Sequence, residues 1–289
     1  MDITHPDKIL FPKEKITKKE LVEYYKKVAL KMLPFLKDRP LVMERYPSGI
    51  QGEGFFQKNV QSYFPKWVKT LEVSRKQASK TMLINCSSKD TLLYIANLGC
   101  ITPHAWLSKK GKLTLPDKMI FDIDPPKGRF DLAKEAAFLL KEVLEKRLHL
   151  KTFVMTTGGK GLHVVVPLKP TESFEKVRAF AKLVAAHVCH EAPTLCTTSI
   201  RKEGRKRRVY LDVMRNAYAQ HAVVPYAVRA NEKALVAMPL SWKSLAQAEP
   251  EQFTLKTINK HLKNNPWSRF SAGCASLKQA RNLLTHLMG

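Results

Sequence analysis

Two carboxylates two residues apart follow an apolar run in segment 119–126, which reads Met-Ile-Phe-Asp-Ile-Asp-Pro-Pro. If this run is a strand, the alternation of side chains points Asp122 and Asp124 to the same face. Carboxylates on one face repel each other unless a cation lies between them, and a divalent metal with oxygen ligands is the usual solution. The pair therefore predicts a metal site. Nucleases, phosphatases and glycosyltransferases use the same spacing, and the alternative is that Asp124 caps a turn before Pro125.

A third acid, Asp212, stands on another apolar run at 208–213. An aspartate buried there without a partner would cost on the order of several kcal/mol. Three acids on neighbouring strands could hold two Mg²⁺ or Mn²⁺ ions about 3.5–4 Å apart, an arrangement that stabilises the attacking and leaving oxygens in phosphoryl transfer. The alternative is that Asp212 pairs with a basic residue of segment 205–208.

A glycine-rich turn lies between these acids, in the segment 156–166 that reads Thr-Thr-Gly-Gly-Lys-Gly-Leu-His-Val-Val-Val. Small residues let backbone amides approach an anion, and Lys160 and His163 can reach phosphate oxygens. The spacing is not that of a Walker loop. The alternative is a β-hairpin whose glycines serve only the turn.

The apolar pattern predicts the elements that must position these side chains. Thr17 and Glu20 have capping-box spacing, so a helix is predicted to begin there, to run to about Met32 and to end at Pro34. Strands are predicted at 41–46, 68–73, 81–84, 101–106, 118–123, 154–156, 162–166, 208–213 and 222–227, and helices at 90–98, 131–148 and 174–188, before a largely helical tail. The last strands are expected to complete one mixed sheet. This order predicts an α+β or α/β fold, with the chemical residues at strand ends where they project into a shared cleft.

The charge of the chain favours a polyanionic partner. Lys and Arg number 50 and Asp and Glu 25, which leaves a formal net charge of +25 in 289 residues. Nucleic acid is the commonest such partner, because each neutralised phosphate releases condensed counterions. An anionic membrane is disfavoured, since the sequence has no apolar run of about 18 residues, no basic amphipathic helix with an aromatic face and no lipidation signal. The polar N-terminus lacks the core of a signal peptide, so the protein is expected in the cytoplasm.

The cysteines predict reduced thiols. They are Cys86, Cys100, Cys189, Cys196 and Cys274, an odd number at irregular spacing without a Cys-x-x-Cys motif. The proximity of His187, Cys189, His190 and Cys196 in sequence suggests a zinc site, but a helix through 187–190 would aim these side chains in divergent directions. No zinc is expected.

Three motifs occur in a fixed order: Phe-Asp-Ile-Asp-Pro-Pro at 121–126, Thr-Gly-Gly-Lys-Gly-Leu-His-Val at 157–164 and Tyr-Leu-Asp-Val-Met-Arg-Asn at 210–216. Together they resemble the archaeo-eukaryotic primase superfamily and, more closely, the polymerase domain of bacterial DNA ligase D, which works with Ku in non-homologous end joining. Further segments that resemble this family are 5–12, 16–18, 55–59, 104–106 and 225–229. The resemblance covers nearly the whole chain.

The resemblance implies an α+β fold of primase-polymerase type, with mixed sheets, flanking helices and a small N-terminal lobe packed on an RRM-like catalytic lobe. It implies one catalytic domain over 1–289, with a DNA-end-binding part at 1–100, a catalytic core at 101–230 and a helical tail at 231–289. The implied activity is template-directed addition of ribo- or deoxynucleotides to primer 3′-hydroxyls at gaps or double-strand breaks. Ku and a ligase component are the implied protein partners, and DNA ends and nucleoside triphosphates the implied ligands. The chain has no Lys-x-Asp-Gly ligase motif, so ligation is expected to lie elsewhere.

The resemblance also implies roles for particular residues. Asp122, Asp124 and Asp212 would be the catalytic acids that bind two divalent ions, Mn²⁺ or Mg²⁺. The implied nucleotide contacts are His104, Thr157, Lys160, His163 and Arg229, with His104 near the sugar.

Contacts with DNA are implied as well. Phe55 and Phe56 resemble an aromatic pair that stacks on template bases, each stack being worth about 1–3 kcal/mol. Lys8, Lys15 and Lys18 are candidates for a pocket that grips a 5′-phosphate. Glu44 departs from the family pattern, since some relatives carry a base there.

Alternatives stand beside these roles. The phenylalanines could be a core anchor, His104 a satisfied core histidine, and the lysines a solvated face. For the whole chain, the alternatives are a stand-alone primase or repair polymerase of the same superfamily, a non-catalytic basic module that binds DNA ends, and a nuclease that uses the same acids.

Overall fold

Short strands and helices make up the fold of residues 2–74 and 80–288, which the computed structural model describes. The strands are β1 (Ile9–Phe11), β2 (Ile16–Thr17), β3 (Pro40–Arg45), β4 (Phe55–Gln57), β5 (Thr70–Ser74), β6 (Lys80–Asn85), β7 (Cys100–Trp106), β8 (Lys118–Asp124), β9 (Phe153–Thr156), β10 (Leu162–Pro167), β11 (Cys196–Thr197), β12 (Val209–Asp212), β13 (His221–Val223) and β14 (Pro239–Leu240). The α-helices are α1 (Lys18–Leu36), α2 (Lys89–Asn97), α3 (Phe130–Glu142), α4 (Phe174–Glu191), α5 (Lys202–Arg205), α6 (Trp242–Ala246) and α7 (Leu277–Met288). A π-helical turn covers Val143–Arg147, and 3₁₀ turns cover Met214–Asn216, Ile258–His261 and Ser271–Gly273.

Helix α1 begins with the predicted capping box. The Thr17 side chain accepts a hydrogen bond from the Glu20 backbone, and the Glu20 carboxylate accepts one from the Thr17 backbone, which satisfies amides that a helix start leaves unpaired. The prediction that Pro34 ends the helix is wrong, because α1 continues to Leu36. Because Pro34 has no backbone N–H, the Leu30 carbonyl loses its hydrogen-bond partner within the helix. The Leu30 side chain is 85% exposed, on the side of the helix that faces water.

Two compact units form within the chain. The first contains Met1–Leu113, His221–Met238 and Glu251–Asn264, and the second contains Thr114–Gln220, Pro239–Pro250 and Asn265–Gly289. This division differs from the predicted lobes because later segments return to each unit. Segment 231–289, predicted as a helical tail, supplies β14 as well as α6 and α7.

The first unit contains an antiparallel sheet in the order β13-β7-β3-β6-β5, with β4 also paired to β3. Helices α1 and α2 pack on each other and on β7. The prediction that 222–227 completes the catalytic sheet is wrong, since Ala222 lies opposite Ala105 of β7. The apolar run at 222–227 predicts a strand but carries no information about its partner, and the strand that forms is the shorter β13.

The second unit contains a mixed sheet in the order β11-β12-β8-β10-β9-β14. Only the β11–β12 pair is parallel among the described strands. Helices α3 and α4 pack on β8, which is buried along nearly its whole length. The predicted α+β class with mixed sheets and flanking helices is confirmed. In the part of the chain that the structure covers, no helix combines the length and apolar character that crossing a bilayer would require.

Candidate active site

The three predicted acids lie on two adjacent strands of the second unit. Strand β12 pairs with β8 in a register that places Asp212 directly opposite Asp122. On the other side of β8, strand β10 places His163 opposite Asp122. Asp124 lies two residues further along β8 and therefore shares the face of Asp122. We call Asp122, Asp124 and Asp212 the acidic row.

Asp122 is buried between two nitrogen donors. Its Oδ1 lies 3.5 Å from His163 Nε2 and its Oδ2 accepts a 3.3 Å hydrogen bond from Arg215 Nε. Burial raises the pKa of Asp122, but His163 and then Arg215 lower it by more, so the pKa lies below its ordinary value. Asp122 is therefore ionised at neutral pH.

Asp124 has too little positive charge around it. Burial raises the pKa of its carboxyl, and the negative charges of Asp122 and Asp212 raise it further, against a partial opposing effect of Lys160 and Arg205. The raised pKa shows that the folded chain disfavours the ionised form of Asp124. A cation bound at this end of the acidic row would relieve the repulsion.

Asp212 is held by its own strand and the turn after it. Its Oδ1 accepts a 2.7 Å hydrogen bond from the Met214 backbone. Burial, the charge of Asp212 and a hydrogen bond to Asp212 together raise the pKa of Tyr210 to about 12. The Arg205 guanidinium lies over the Tyr210 ring, 4.1 Å from its centre, in a cation–π contact.

The acidic row does not form a closed metal-binding cluster in this structure. Within residues 2–74 and 80–288, no three His, Cys, Asp or Glu side chains are already gathered closely enough to hold a metal ion. Arg215 and the Met214 backbone instead hold the Asp122 and Asp212 carboxylates in their present orientations.

The glycine-rich turn joins β9 to β10 beside the acidic row. The Thr157 backbone and hydroxyl both donate 3.1 Å hydrogen bonds to the Gly161 carbonyl. A Cβ atom on Gly161 would lie 2.4 Å from the Ile123 carbonyl oxygen, so only glycine lets the turn lie this close to β8. The turn is a hairpin, as the alternative held, and it also places the charge of exposed Lys160 near Asp124.

Two residues of this site, Arg215 and Asn216, were not assigned a role from the sequence. The fully buried Asn216 amide donates to the Ile120 carbonyl at 2.7 Å and accepts from the Ile120 backbone at 2.8 Å. It therefore adds one side-chain pairing to the ladder between β12 and β8. Both residues end the motif at 210–216 that carries the family resemblance, and this motif was the signal that could have identified them.

In the first unit, His104 is held by Glu44. His104 Nε2 lies 3.2 Å from Glu44 Oε2. Burial raises the pKa of Glu44, but His104 and then Arg229 lower it by more, so the pKa lies below its ordinary value. The His104 ring also lies 5.7 Å from Phe56 and 5.0 Å from His221. Glu44 thus supplies a carboxylate partner for His104, and Arg229 belongs to the same unit.

Phe55 and Phe56 are on β4, which the sequence pattern did not predict. Their side chains are 45% and 53% exposed, so the alternative of a core anchor is wrong. They line an open groove of about 520 Å³ together with Arg45 and Tyr63. The Arg45 guanidinium lies 5.3 Å from the Phe55 ring centre.

The three candidate lysines differ in their surroundings. Lys18 is only 7% exposed, and its ammonium donates hydrogen bonds to the Thr4 carbonyl and hydroxyl. Burial lowers the pKa of Lys18, and the charges of Lys8 and Arg45 lower it further. Lys8 is exposed and donates to the Pro47 carbonyl at 2.8 Å, whereas Lys15 is exposed in a left-handed backbone conformation.

Of the four residues His187, Cys189, His190 and Cys196, the two cysteines are hydrogen-bonded to each other. A hydrogen bond from Cys196 lowers the pKa of the Cys189 thiol, with burial opposing it. The buried His187 ring lies 3.4 Å from Glu191, one turn along the same helix. All five cysteines lie in the described ranges and carry no disulfide.

A family model and several known proteins are similar to this chain. The family model described as LigD, primase-polymerase domain, matches residues 17–267. The bifunctional non-homologous end joining protein LigD of Bacillus subtilis is 32% identical over 266 residues, which cover 91% of this chain and 42% of that protein. The multifunctional non-homologous end joining protein LigD of Mycolicibacterium smegmatis is 30% identical over 254 residues, which cover 86% of this chain and 32% of that protein. The chain thus spans less than half the length of these relatives.

A solved structure is also similar. The polymerase domain from Mycobacterium tuberculosis ligase D in complex with DNA superposes with a TM-score of 0.86 at 26% sequence identity. The match covers 95% of this chain and 99% of that one.

Proposed function

The chain belongs to the LigD primase-polymerase domain family, and we propose that it adds ribo- or deoxynucleotides to primer 3′-hydroxyls at gaps or double-strand breaks under the direction of a template strand. The observation that carries this proposal is the register of the acidic row, in which Asp122 lies between His163 and Asp212. Asp122 and Asp212 are like charges on opposed strands, which destabilises a sheet. This arrangement therefore favours a functional role over a purely structural one.

The donor set of the acidic row fits divalent ions. Its ligating atoms are carboxylate oxygens, which Mg²⁺ and Mn²⁺ prefer, and the raised pKa of Asp124, caused by burial and the other two acids, supports an additional cation. Asp122, Asp124 and Asp212 would hold two ions, whose chemistry is to activate the 3′-hydroxyl and to neutralise the triphosphate.

The reaction joins the primer 3′-oxygen to the α-phosphorus of a nucleoside triphosphate and releases pyrophosphate. Enzymes catalyse such transfers mainly by positioning and by neutralising charge. Lys160 and His163 lie beside the acidic row, where fixed cationic or donor groups offset phosphate charge without reorganisation. Thr157 and Arg229 are the other proposed contacts of the triphosphate.

Contacts with sugar and template are proposed for the first unit. His104, held by Glu44 at 3.2 Å, is proposed to face the nucleotide sugar. Phe55 and Phe56 are exposed and are proposed to stack on template bases, which tolerates any sequence because every base has an aromatic face.

Lys8 and Lys18 are the proposed 5′-phosphate contacts. Burial lowers the pKa of Lys18 most, and the nearby charges of Lys8 and Arg45 lower it further; a bound anion would offset the charges of these three bases. Exposed Lys8 would make direct contact, with Lys18 behind it. Recognition of a 5′-phosphate would suit a role at double-strand breaks, together with Ku and a ligase component. This role would be carried out in the cytoplasm, on the nucleoid. The net charge of +25 supports DNA as the partner.

Primer extension tests this function. A labelled primer on a gapped duplex is incubated with ribo- or deoxynucleotides and with Mn²⁺ or Mg²⁺. We expect the native chain to extend the primer, Asp122→Asn to be inactive and Asp131→Asn to match the native chain, because Asp131 is an exposed acid paired with Arg129. Absence of extension under all conditions would identify a non-catalytic DNA-binding module, and primer shortening without nucleotides would identify a nuclease.

A second comparison tests the end-joining role. Removing the 5′-phosphate from the gap should reduce extension by the native chain and by Lys15→Ala, but it should have little effect on Lys8→Ala. A native chain that is indifferent to the phosphate would be a stand-alone polymerase of the superfamily.

A further inference from the structure

We propose that Tyr63 and Trp67 extend the template contact of Phe55 and Phe56 into an aromatic track that binds unpaired bases of the template strand. The aromatic track is defined as these four side chains. The inference deepens the proposed function and rests on it for the identity of the strand.

The sequence of this segment combines aromatic and basic residues without an acid. Between Glu53 and Glu72 the chain carries five aromatic residues, three lysines and no Asp or Glu. The lysines are Lys58, Lys66 and Lys69, and all three are exposed. Aromatic rings interleaved with cations are what single-stranded nucleic acid requires, because bases stack on the rings and phosphates meet the cations.

The outer rings of the track are exposed but supported from behind. Tyr63 is 54% and Trp67 is 50% exposed. Tyr63 stacks on buried Phe64 with ring centres 5.0 Å apart, and Trp67 meets the edge of Tyr94 at 5.4 Å. Phe64 also contacts Tyr94 at 5.6 Å, so Phe64 and Tyr94 form a continuous layer of rings behind Tyr63 and Trp67.

Arg45 connects the two ends of the track. Its guanidinium lies 5.3 Å from the Phe55 ring centre and donates a 3.1 Å hydrogen bond to the Tyr63 hydroxyl. One cation therefore lies between a proposed template-stacking ring and the first ring of the extension. The groove lined by Arg45, Phe55, Phe56 and Tyr63 is continuous with this contact.

Charge decides between nucleic acid and a protein as the occupant. Protein interfaces are depleted in lysine, whereas this segment has three exposed lysines and no acid to pair with them. Four exposed large rings in one short segment also exceed the scattered apolar residues of an ordinary surface. Unpaired template DNA satisfies both features.

The test measures how affinity depends on the length of unpaired template. Fluorescently labelled duplexes with a gap of either one or ten nucleotides are titrated with the full chain at one fixed salt concentration, because salt changes affinity strongly. The native chain should bind the longer gap more tightly. In Tyr63→Ala/Trp67→Ala this preference should fall by about 5-fold or more, while Leu30→Ala, which removes an exposed apolar side chain on α1, should match the native chain.

Tryptophan fluorescence gives an independent readout. Oligo(dT) should quench the emission of Trp67, which is 50% exposed, through direct stacking. Trp67→Phe should keep the affinity for the ten-nucleotide gap and lose this quenching. If the double variant does not fold, the quenching comparison decides the proposal.

The outcomes separate the two proposals. Unchanged affinities in the double variant, or equal quenching in Trp67→Phe, would overturn the aromatic track and leave the surface for a protein partner. A native chain that binds the gapped duplexes as expected but adds no nucleotide would overturn the proposed function and leave the track standing.

Discussion

Asp212 lies directly opposite Asp122 across the ladder between β12 and β8. Opposed like charges destabilise an antiparallel pair, so this register carries a cost in stability. His163 and Arg215 offset it at Asp122. The cost appears at Asp124, where burial and the other two acids raise the pKa. Such a concentration of charge is expected where function has been favoured over stability.

Asp124→Asn should therefore stabilise the chain and abolish nucleotide addition. A raised folded-state pKa means that the ionised carboxylate destabilises the fold at pH 7, and that this penalty disappears as the pH falls through the folded and then the unfolded pKa. Without added metal at pH 7, we expect the free energy of unfolding to rise by up to about 1 kcal/mol, discounted because Asp124 is partly exposed. Thermal unfolding should show this gain at pH 7 and a smaller one near pH 4. A lower melting temperature at pH 7 would contradict the assigned electrostatics, with Asp131→Asn as the control.

Arg215→Ala should destabilise the chain because it removes one of the two partners, His163 and Arg215, that offset the charge of buried Asp122. Arg215 is 41% exposed, so we expect a loss of only about 1 kcal/mol. A double-mutant cycle with Asp122→Asn measures the pair directly by chemical denaturation. The arginine substitution should cost less in the Asp122→Asn background, and equal costs in the two backgrounds would mean that the 3.3 Å contact contributes nothing.

Gly161→Ala should damage both stability and activity. Its Cβ would lie 2.4 Å from the Ile123 carbonyl oxygen, whereas the nearest atom to a Cβ on Gly159 is the Thr157 hydroxyl oxygen at 3.7 Å. We expect a loss of about 1–3 kcal/mol for Gly161→Ala from overpacking and a change within about 0.5 kcal/mol for Gly159→Ala. Denaturation curves of both variants check this. Equal stability of the two would show that β8 and the turn separate without cost.

Glu44→Ala should weaken discrimination between ribo- and deoxynucleotides. Glu44 is a positioning residue, since its carboxylate holds His104 at 3.2 Å. We expect KM for ribonucleotides to rise about 5-fold with kcat nearly unchanged, as loss of one hydrogen bond made in both the ground and transition states predicts. KM for deoxynucleotides should change little. Glu44→Gln, which keeps a hydrogen-bond acceptor, should restore most of the discrimination, and failure of this rescue would argue against positioning through His104.

Much of this architecture was predictable because its signals are local. The capping box at Thr17 and the alternation around Asp122 act within a few residues, so α1 and β8 could be predicted from the sequence. The predicted helix end at Pro34 is wrong because the effect of a proline on a helix depends on whether the carbonyl that it leaves unpaired faces water. The short strand β4 was missed because three residues beside a glycine-rich segment have no clear period.

Long-range relationships were beyond a single sequence. The apolar run at 222–227 predicts a strand, but the pairing of β13 with β7 in the first unit depends on the whole topology. The contact of Arg215 with Asp122 joins residues 93 positions apart, and no local pattern encodes it. The aspartates, Lys160 and His163 were identified from residue type and spacing, whereas the contact of Arg215 with Asp122 required the structure.

The buried amide of Asn216 has a consequence for how the sheet assembles. If β12 slipped by one residue along β8, Asp212 would turn to the opposite face, although most backbone pairs could form again. Asn216 satisfies both backbone groups of Ile120, and it can do so in only one alignment. A slipped sheet would bury unpaired polar groups. Asn216 thus favours one alignment of β12 on β8 over its neighbours. In that alignment the acids lie on a common face.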